Sequence, residues 1–304
     1  MKSGFVGIVG RPNVGKSTLL NSILGEKIAI TTEKPQTTRN TIRGIYTHYA
    51  DGEGKDSVFD DDVQMIFIDT PGIHKPRNKL GEYMTDAAIG TFSEVDLIIF
   101  ITDSKLSKGP GDKYICDLLE KADAPIILVI NKIDKMTPDE YAEIYKEYDE
   151  LGIFENILGT AAKEGTNVQD VINAAVEYMD EGPMYFPDDI VTENPARFIV
   201  SEIIREKILL YLQDEIPHGV AVEIEQYEEG DNITRINAVI YCERKSHKGM
   251  IIGKGGRKLK GIGKSAREEI ENLLGTKVYL ETWVKVRENW RDSAIALSNF
   301  GYKD

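Results

Sequence analysis

The chain has 304 residues, 41% hydrophobic and 29% charged, which is length enough for two domains that each bury a core. A formal charge of −14 argues against a nucleic-acid partner only where the charge is evenly spread. No apolar run approaches the roughly 20 residues of a bilayer span and no signal-peptide pattern precedes the first apolar run, so a cytoplasmic protein is expected.

The first element is the apolar run Phe5–Val9, read as a strand. It leads into Gly10, Arg11, Pro12, Asn13, Val14, Gly15, Lys16 and Ser17, and from Thr18 the spacing turns helical. Strand, glycine loop and helix in that order form a phosphate cradle. Backbone N–H groups converge on phosphate oxygens, and the helix N-terminus adds positive potential. Lys16 reaches the β- and γ-phosphates, and Ser17 offers a hydroxyl to Mg²⁺. The polar stretch Pro35, Gln36, Thr37, Thr38, Arg39, Asn40 is expected to be irregular. A threonine there adds a hydroxyl to Mg²⁺ only while a γ-phosphate is present, which makes the segment a switch. Thr37 and Thr38 both qualify, and Thr38 is favoured.

Tyr49–Asp62 carries Asp51, Glu53, Asp56, Asp60, Asp61 and Asp62, and reads as a solvated hairpin loop between two strands. The run Val63–Ile68 then ends on Asp69, Thr70, Pro71, Gly72 and Ile73. Asp69 is expected to hold Mg²⁺ through a water, and the Gly72 N–H to contact the γ-phosphate. Val95–Ile101 and Ile126–Ile130 follow, and the second ends on Asn131, Lys132, Ile133 and Asp134. Asp134 accepts two hydrogen bonds from the N1–H and exocyclic amine of guanine, a pair adenine lacks. Asn131 can contact the base edge and the Lys132 stem can cover the ring. Rejecting a base that strands a buried carboxylate is worth several kcal/mol. These residues therefore specify GTP and GDP over adenine nucleotides.

A shorter run, Ile157–Gly159, is the last of this series. Strands alternating with helical segments imply an α/β domain: a mostly parallel sheet with helices on both faces, and ligand bound beyond the carboxyl ends of the strands. Cys116 and Cys242 lie far apart in apolar stretches and read as reduced, buried thiols.

Prolines and acidic residues over Asp180–Pro195 mark an interdomain linker. The expected division is 1–180, a linker at 181–196, and a second domain over 197–304. That second part reads as a helix (about Phe198–Gln213), strands Val220–Gln226 and Thr234–Cys242, a lysine- and glycine-rich segment, a helix to Leu274 and a strand Lys277–Trp283. Between Arg244 and Arg267 the basic residues Arg244, Lys245, Lys248, Lys254, Arg257, Lys258, Lys260, Lys264 and Arg267 meet no Asp or Glu. Such segregation makes a positive face on a negative body, suited to a polyanion. Within it Ile251, Ile252, Gly253, Lys254, Gly255, Gly256 and Arg257 hold a Gly-x-x-Gly loop between helices. Such a loop admits single-stranded backbone, while Ile251 and Ile252 are expected to line a groove for about four bases. The element order is that of an α+β KH fold of type II. Trp283 and Trp290 are expected to be packed rather than free for base stacking.

Taken together, the motifs resemble those of the translation-factor-related GTPases, and the chain is similar over essentially its whole length to the Era family of the TrmE-Era-EngA-like superfamily. The resemblance rests on the residues at 10–17, 35–39 and 69–74, on 197–207, and on the basic glycine loop. It implies a P-loop GTPase domain followed by a KH domain, hydrolysing GTP and water to GDP and phosphate. Lys16, Thr38, Gly72 and Asn13 are the residues it assigns to catalysis. Ile73 stands where Ras-like enzymes carry the glutamine that orients water, so slow hydrolysis is expected. Asn13 matches an asparagine that ligands K⁺ in related potassium-activated GTPases. Related enzymes contact guanine O6 from a Ser-Ala loop; here the segment is Thr160, Ala161, Ala162, Lys163, and the Ala162 N–H is expected to serve. The implied partners are the 3′ end of 16S ribosomal RNA and the 30S subunit during its assembly. Peripheral membrane attachment is implied too, with a monomer expected.

Overall fold

The structure is a computed structural model that describes residues 1–32, 34, 36–50, 59–212 and 219–302. Pro35, the acidic residues Asp51, Glu53 and Asp56, and Gln213 lie outside the described residues. The chain divides into two units. One comprises 1–29, 38–75 and 84–193, the other 30–37, 76–83 and 194–304.

The first unit opens with β1 (Lys2–Gly10), α1 (Lys16–Leu24), β2 (Ile42–His48) and β3 (Val63–Asp69). After α2 (Lys79–Gly90), which bridges the division, come β4 (Leu97–Thr102), α3 (Pro110–Leu119), β5 (Ile126–Asn131), α4 (Pro138–Asp149), β6 (Asn156–Thr160), α5 (Val168–Val176) and the short β7 (Asp180–Glu181). The sheet order is β2-β3-β1-β4-β5-β6, with β7 beside β1. The pairs β1–β3, β1–β4, β4–β5 and β5–β6 are parallel, and β2 runs antiparallel to β3. Every residue of β3, β4 and β5 is buried, as expected of parallel strands covered on both faces. Ile98 and Phe100 pack with Ile115, Cys116, Ile144 and Tyr148 of α3 and α4. Leu97, Ile99 and Ile101 point to the other face, where α1 and α5 meet.

Phe100 is fully buried, with ring centroids of Tyr148 and Phe154 each 6.1 Å away. Its replacement by alanine is expected to cost about 3–5 kcal/mol. Equilibrium unfolding in urea checks this, and a loss below about 1 kcal/mol would mean that the face recloses around the deletion. Both cysteines are free and buried. Burial pushes the Cys116 thiol up to about 12, so it stays protonated and inert.

The stretch read as a linker is instead pinned to the first unit. Gln64 Oε1 accepts from the N–H groups of Tyr185 (2.7 Å) and Phe186 (3.0 Å), and Gln64 Nε2 donates to the Phe186 carbonyl at 2.8 Å. Further on, Ile45 N–H donates to the Val191 carbonyl and Thr192 Oγ1 to that of Arg43. Gln64 is fully buried, so its amide needs partners, and this segment supplies them.

The second unit contains α6 (Ala196–Tyr211), β8 (Val220–Glu228), β9 (Ile233–Cys242), α7 (Lys245–Ile252), α8 (Arg257–Leu274), β10 (Lys277–Val286) and α9 (Ala294–Asn299). Its sheet runs β10-β9-β8, with β9 parallel to β10 and antiparallel to β8. Ile199, Ile203, Ile204 and Ile208 of α6 and Ile262, Ala266 and Ile270 of α8 form one core with Ile224, Ile236, Ile240, Val278 and Val284 from the sheet. The 3–4 spacing of the helical positions and the alternation of the strand positions explain why these side chains meet.

Candidate functional site

Most of the residues singled out in the first unit gather at the carboxyl edge of the parallel sheet, because they lie at or just after the end of a strand. Gly10 closes β1, Asp69 closes β3, Asn131 closes β5 and Thr160 closes β6. The loop from Arg11 to Gly15 turns directly into α1. Gly15 caps that helix at φ +109°, a backbone angle that favours glycine, and a Cβ there would lie 2.1 Å from Asn131 Nδ2. Asn13 also takes a left-handed φ of +66°.

Lys16 is buried and donates to the carbonyls of Gly10 (3.2 Å) and Arg11 (3.0 Å). Burial lowers its ammonium to about 8, with Asp69 opposing the shift. Ser17 Oγ lies 2.8 Å from Thr38 Oγ1 and donates to Asp69 Oδ2 at 2.6 Å. Thr38 Oγ1 is 3.4 Å from the same carboxylate oxygen. Thr37 bonds instead to Thr32 Oγ1 and the Lys34 carbonyl, so Thr38 is the threonine beside Ser17. Asp69 is fully buried, and burial raises its carboxyl to about 6 against the pull of Lys16, Ser17 and Thr38. Its other oxygen, Oδ1, accepts no hydrogen bond among the described residues.

Thr70 ties its strand to β1, its hydroxyl donating to the Ile8 carbonyl at 2.8 Å. Pro71 is buried, and Gly72 lies against Pro12. Ile73 donates its N–H to the Gly10 carbonyl at 3.0 Å while its side chain is fully buried beside Val9, Ile98 and Phe100. The position thus offers no side chain to the loop edge.

At the other end, Asn131 also has a structural role. Its amide donates to the Val14 carbonyl (2.8 Å) and accepts from the Ala162 N–H (3.0 Å). With Asn131 2% exposed, these bonds brace two loops and leave the second N–H of its amide for a base edge. The same bond engages the Ala162 N–H that was expected to meet guanine O6. Ala161 is buried and Lys163 exposed on either side of it. Lys132 sits at φ +64° and donates to the Asn13 carbonyl at 2.7 Å. Ile133 packs against the α3–α4 core, whereas the Asp134 carboxylate is exposed with no hydrogen bond among the described residues.

Sequence reasoning counted Arg11 in the phosphate loop but passed over its side-chain partners. Arg11 Nε donates to Asp112 Oδ1 at 2.7 Å, and Nη2 donates to Asp103 Oδ1 (3.0 Å) and Ser104 Oγ (2.7 Å). Asp103 and Ser104 follow the last residue of β4, and their place beyond an apolar run was the available signal.

In the second unit α7 ends at Gly253 (φ +72°), and Gly255 (+61°) and Gly256 (+74°) carry the chain through a single 3₁₀ turn into α8. A Cβ on Gly253 would lie 2.7 Å from that of Lys258. Lys254 and Arg257 are exposed, Lys248 and Lys258 half-buried, and none of the four makes an ion pair among the described residues. Lys264 and Arg267, further along α8, do face glutamates. Two apolar expectations fail. Ile251 is fully buried in the core, while Met250 is 50% exposed and Ile252 intermediate. Trp290 is buried with its Nε1 donating to the Gly219 carbonyl, but Trp283 is 58% exposed on the sheet face opposite Val278 and Val284.

Comparisons with known proteins agree with this geometry. Residues 5–132 match the family described as "50S ribosome-binding GTPase" and residues 215–291 the family "KH domain". The chain is 58% identical to GTPase Era of Alkaliphilus oremlandii over 99% of both chains, and 55% identical to GTPase Era of Clostridioides difficile over 100% of this chain and 99% of that one. Among solved structures it resembles Era in complex with MgGDPNP and nucleotides 1506–1542 of 16S ribosomal RNA, with a TM-score of 0.90, 37% identity and full coverage of both chains. An Aquifex aeolicus Era variant bound to GDP·AlF4⁻ gives a TM-score of 0.89, also at 37% identity and full coverage.

Proposed function

Because the chain belongs to the Era family of GTPases, we propose that it is a GTP-driven switch acting on the 3′ end of 16S ribosomal RNA during assembly of the 30S subunit. The reaction is hydrolysis of GTP by water to GDP and phosphate. The observation that carries the reading is the convergence of Lys16, Ser17, Thr38 and Asp69 at the strand edge that also holds Asn131–Asp134. In functional terms we divide the chain into a nucleotide domain at 1–180, a joining segment at 181–196 and a KH domain from 197.

Phosphate recognition falls to the Gly10–Ser17 loop, with Lys16 released from its two carbonyls to pair with the β- and γ-oxygens. The unpartnered Asp69 Oδ1 and the neighbouring hydroxyls form an all-oxygen set that suits Mg²⁺. Ser17 and Thr38 would hold it directly and Asp69 through a water, and the ion would neutralise charge developing on the phosphates. Thr38 would bond the ion itself only while a γ-phosphate is present, which makes it the reporting residue. Asp134 selects guanine and the Lys132 stem covers the ring.

With Ile73 turned into the core, the water must be oriented by backbone, by a cation or by a partner, and hydrolysis is slow. Asn13 is our candidate for a K⁺ ligand. Asn13→Ala is expected to remove a several-fold stimulation of hydrolysis by K⁺ over Na⁺. Alanine is strained at φ +66°, so Asn13→Gly removes the amide without that cost. Equal rates in both salts for parent and variants would end the K⁺ assignment.

The basic loop at Lys248–Lys258 is the RNA site, with Gly253–Gly256 against the backbone of a single strand. The experiment that tests the switch measures affinity for an RNA of the 16S 3′ end with GDP and with a non-hydrolysable GTP analogue. A difference of tenfold or more is expected. Equal affinities would leave an RNA-binding module with an uncoupled GTPase. We place the protein in the cytoplasm as a monomer. We take any membrane attachment to be peripheral; among the described residues no helix is long and apolar enough to cross a bilayer.

A further inference from the structure

Between the phosphate loop and the guanine motif lies a chain of charged side chains that the proposed reaction does not itself require. Lys132 Nζ sits 2.7 Å from the Asn13 carbonyl and 2.7 Å from Asp103 Oδ2. The other oxygen of Asp103 accepts from Arg11 Nη2 at 3.0 Å. Arg11 in turn is fixed by Asp112 (2.7 Å through Nε) and by Ser104 Oγ (2.7 Å). Asp112 is 3% exposed, and its second oxygen accepts from Thr102 Oγ1 at 3.0 Å. A planar guanidinium held at two nitrogens by separate acceptors has little freedom left. Asp103 is therefore mounted, and it presents one oxygen to Lys132.

We propose that Asp103 is a positioning residue for guanine nucleotide. It holds the Lys132 ammonium against the Asn13 carbonyl, so the aliphatic stem is already stretched across the base site before nucleotide arrives. A free lysine stem would have to be ordered on binding, and that cost would appear as faster nucleotide release. Arg11, a variable position of the phosphate-loop pattern, acts here as the mount for Asp103 and thereby ties the phosphate end of the site to the base end. This inference rests on the reading that guanine nucleotide occupies the loop edge.

The test is a double-mutant cycle on release of a ribose-labelled fluorescent GDP. Asp103→Asn keeps the shape and removes the charge. It is expected to speed release about tenfold in the parent and less than twofold in a Lys132→Met background, where the stem remains but the ammonium is gone. Coupling of that size is usual within one ion-pair network. The same factor in both backgrounds would mean that Asp103 acts on the fold generally, and would overturn the proposal. Gly111→Ala is a second route to the same contact, since its Cβ would lie 2.6 Å from Arg11 Cδ and push the guanidinium aside. It too should accelerate release in the parent and not in the Lys132→Met chain, and equal acceleration would again count against the mechanism. Failure of the parent to bind GDP would sink the nucleotide reading and this inference together. Binding with equal factors in both backgrounds sinks the positioning role alone.

Discussion

Replacing Asp134 by asparagine is expected to lower affinity for GTP at least a hundredfold and to raise affinity for xanthosine triphosphate. The carboxylate is exposed, has no hydrogen bond among the described residues, and lies in the short turn Ile133–Lys135 after β5. The change therefore removes nothing from the fold. Against guanine, the asparagine amide nitrogen would face the exocyclic amine, donor against donor. Xanthine carries a carbonyl at that carbon, so the same nitrogen finds an acceptor while the amide oxygen still takes the N1–H. A site built for one hydrogen-bond pattern rejects the wrong base by about two to five orders of magnitude. Competition of GTP and xanthosine triphosphate against a fluorescent nucleotide measures both arms. If the variant took xanthosine triphosphate no better than the parent, Asp134 would not be the residue that reads the base.

Gly253→Asp is expected to abolish binding of 16S ribosomal RNA, with a loss greater than a hundredfold. Two effects act in the same direction. The backbone angles of Gly253, φ +72° and ψ 174°, belong to a region that is nearly glycine-only, at a cost of order 1–3 kcal/mol for other residues. The new carboxylate would also stand among Lys254, Arg257 and Lys258, where a phosphate backbone is meant to approach. Crosslinking of RNA from cells carrying parent or variant reads the outcome, and retained 16S crosslinks would remove the site assignment. Lys258→Ala separates charge from strain. It should weaken binding for all sequences alike and lower the slope of log affinity against log salt by about one.

Much of the nucleotide edge was legible because its residues follow apolar runs, and in a parallel sheet the ends of such runs come together. Lys16, Ser17 and Asp69 are cases where residue type and position in the run suffice. The phase of α7 was harder to read. Eight residues with glycines within and just after them carry little periodic signal, and Ile251, expected in a groove, lies in the core while Met250 is exposed. Trp283 was readable in retrospect, since it shares its strand parity with Lys277, Tyr279, Glu281 and Lys285 rather than with Val278 and Val284. Asn131 and Ala162 could not be read from sequence. Their mutual bond depends on which buried polar atoms lack water, and only the packed loops decide that. The same holds for Gln64, whose burial turned a proline-rich acidic stretch from a tether into a fixed strap.

Strands β2 and β3 pair along their full length. His48 pairs with Val63 and Ile42 with Asp69, so the residues joining the strands leave the sheet at the end away from the phosphate loop. Six residue steps along β3 separate Val63 from Asp69, a distance of about 20 Å at the rise of a strand. The sheet thus has a chemical margin and a permissive one. At the permissive margin Tyr49, Asp60 and Asp61 are exposed, which makes them natural positions for a reporter that leaves every ligand-facing atom in place.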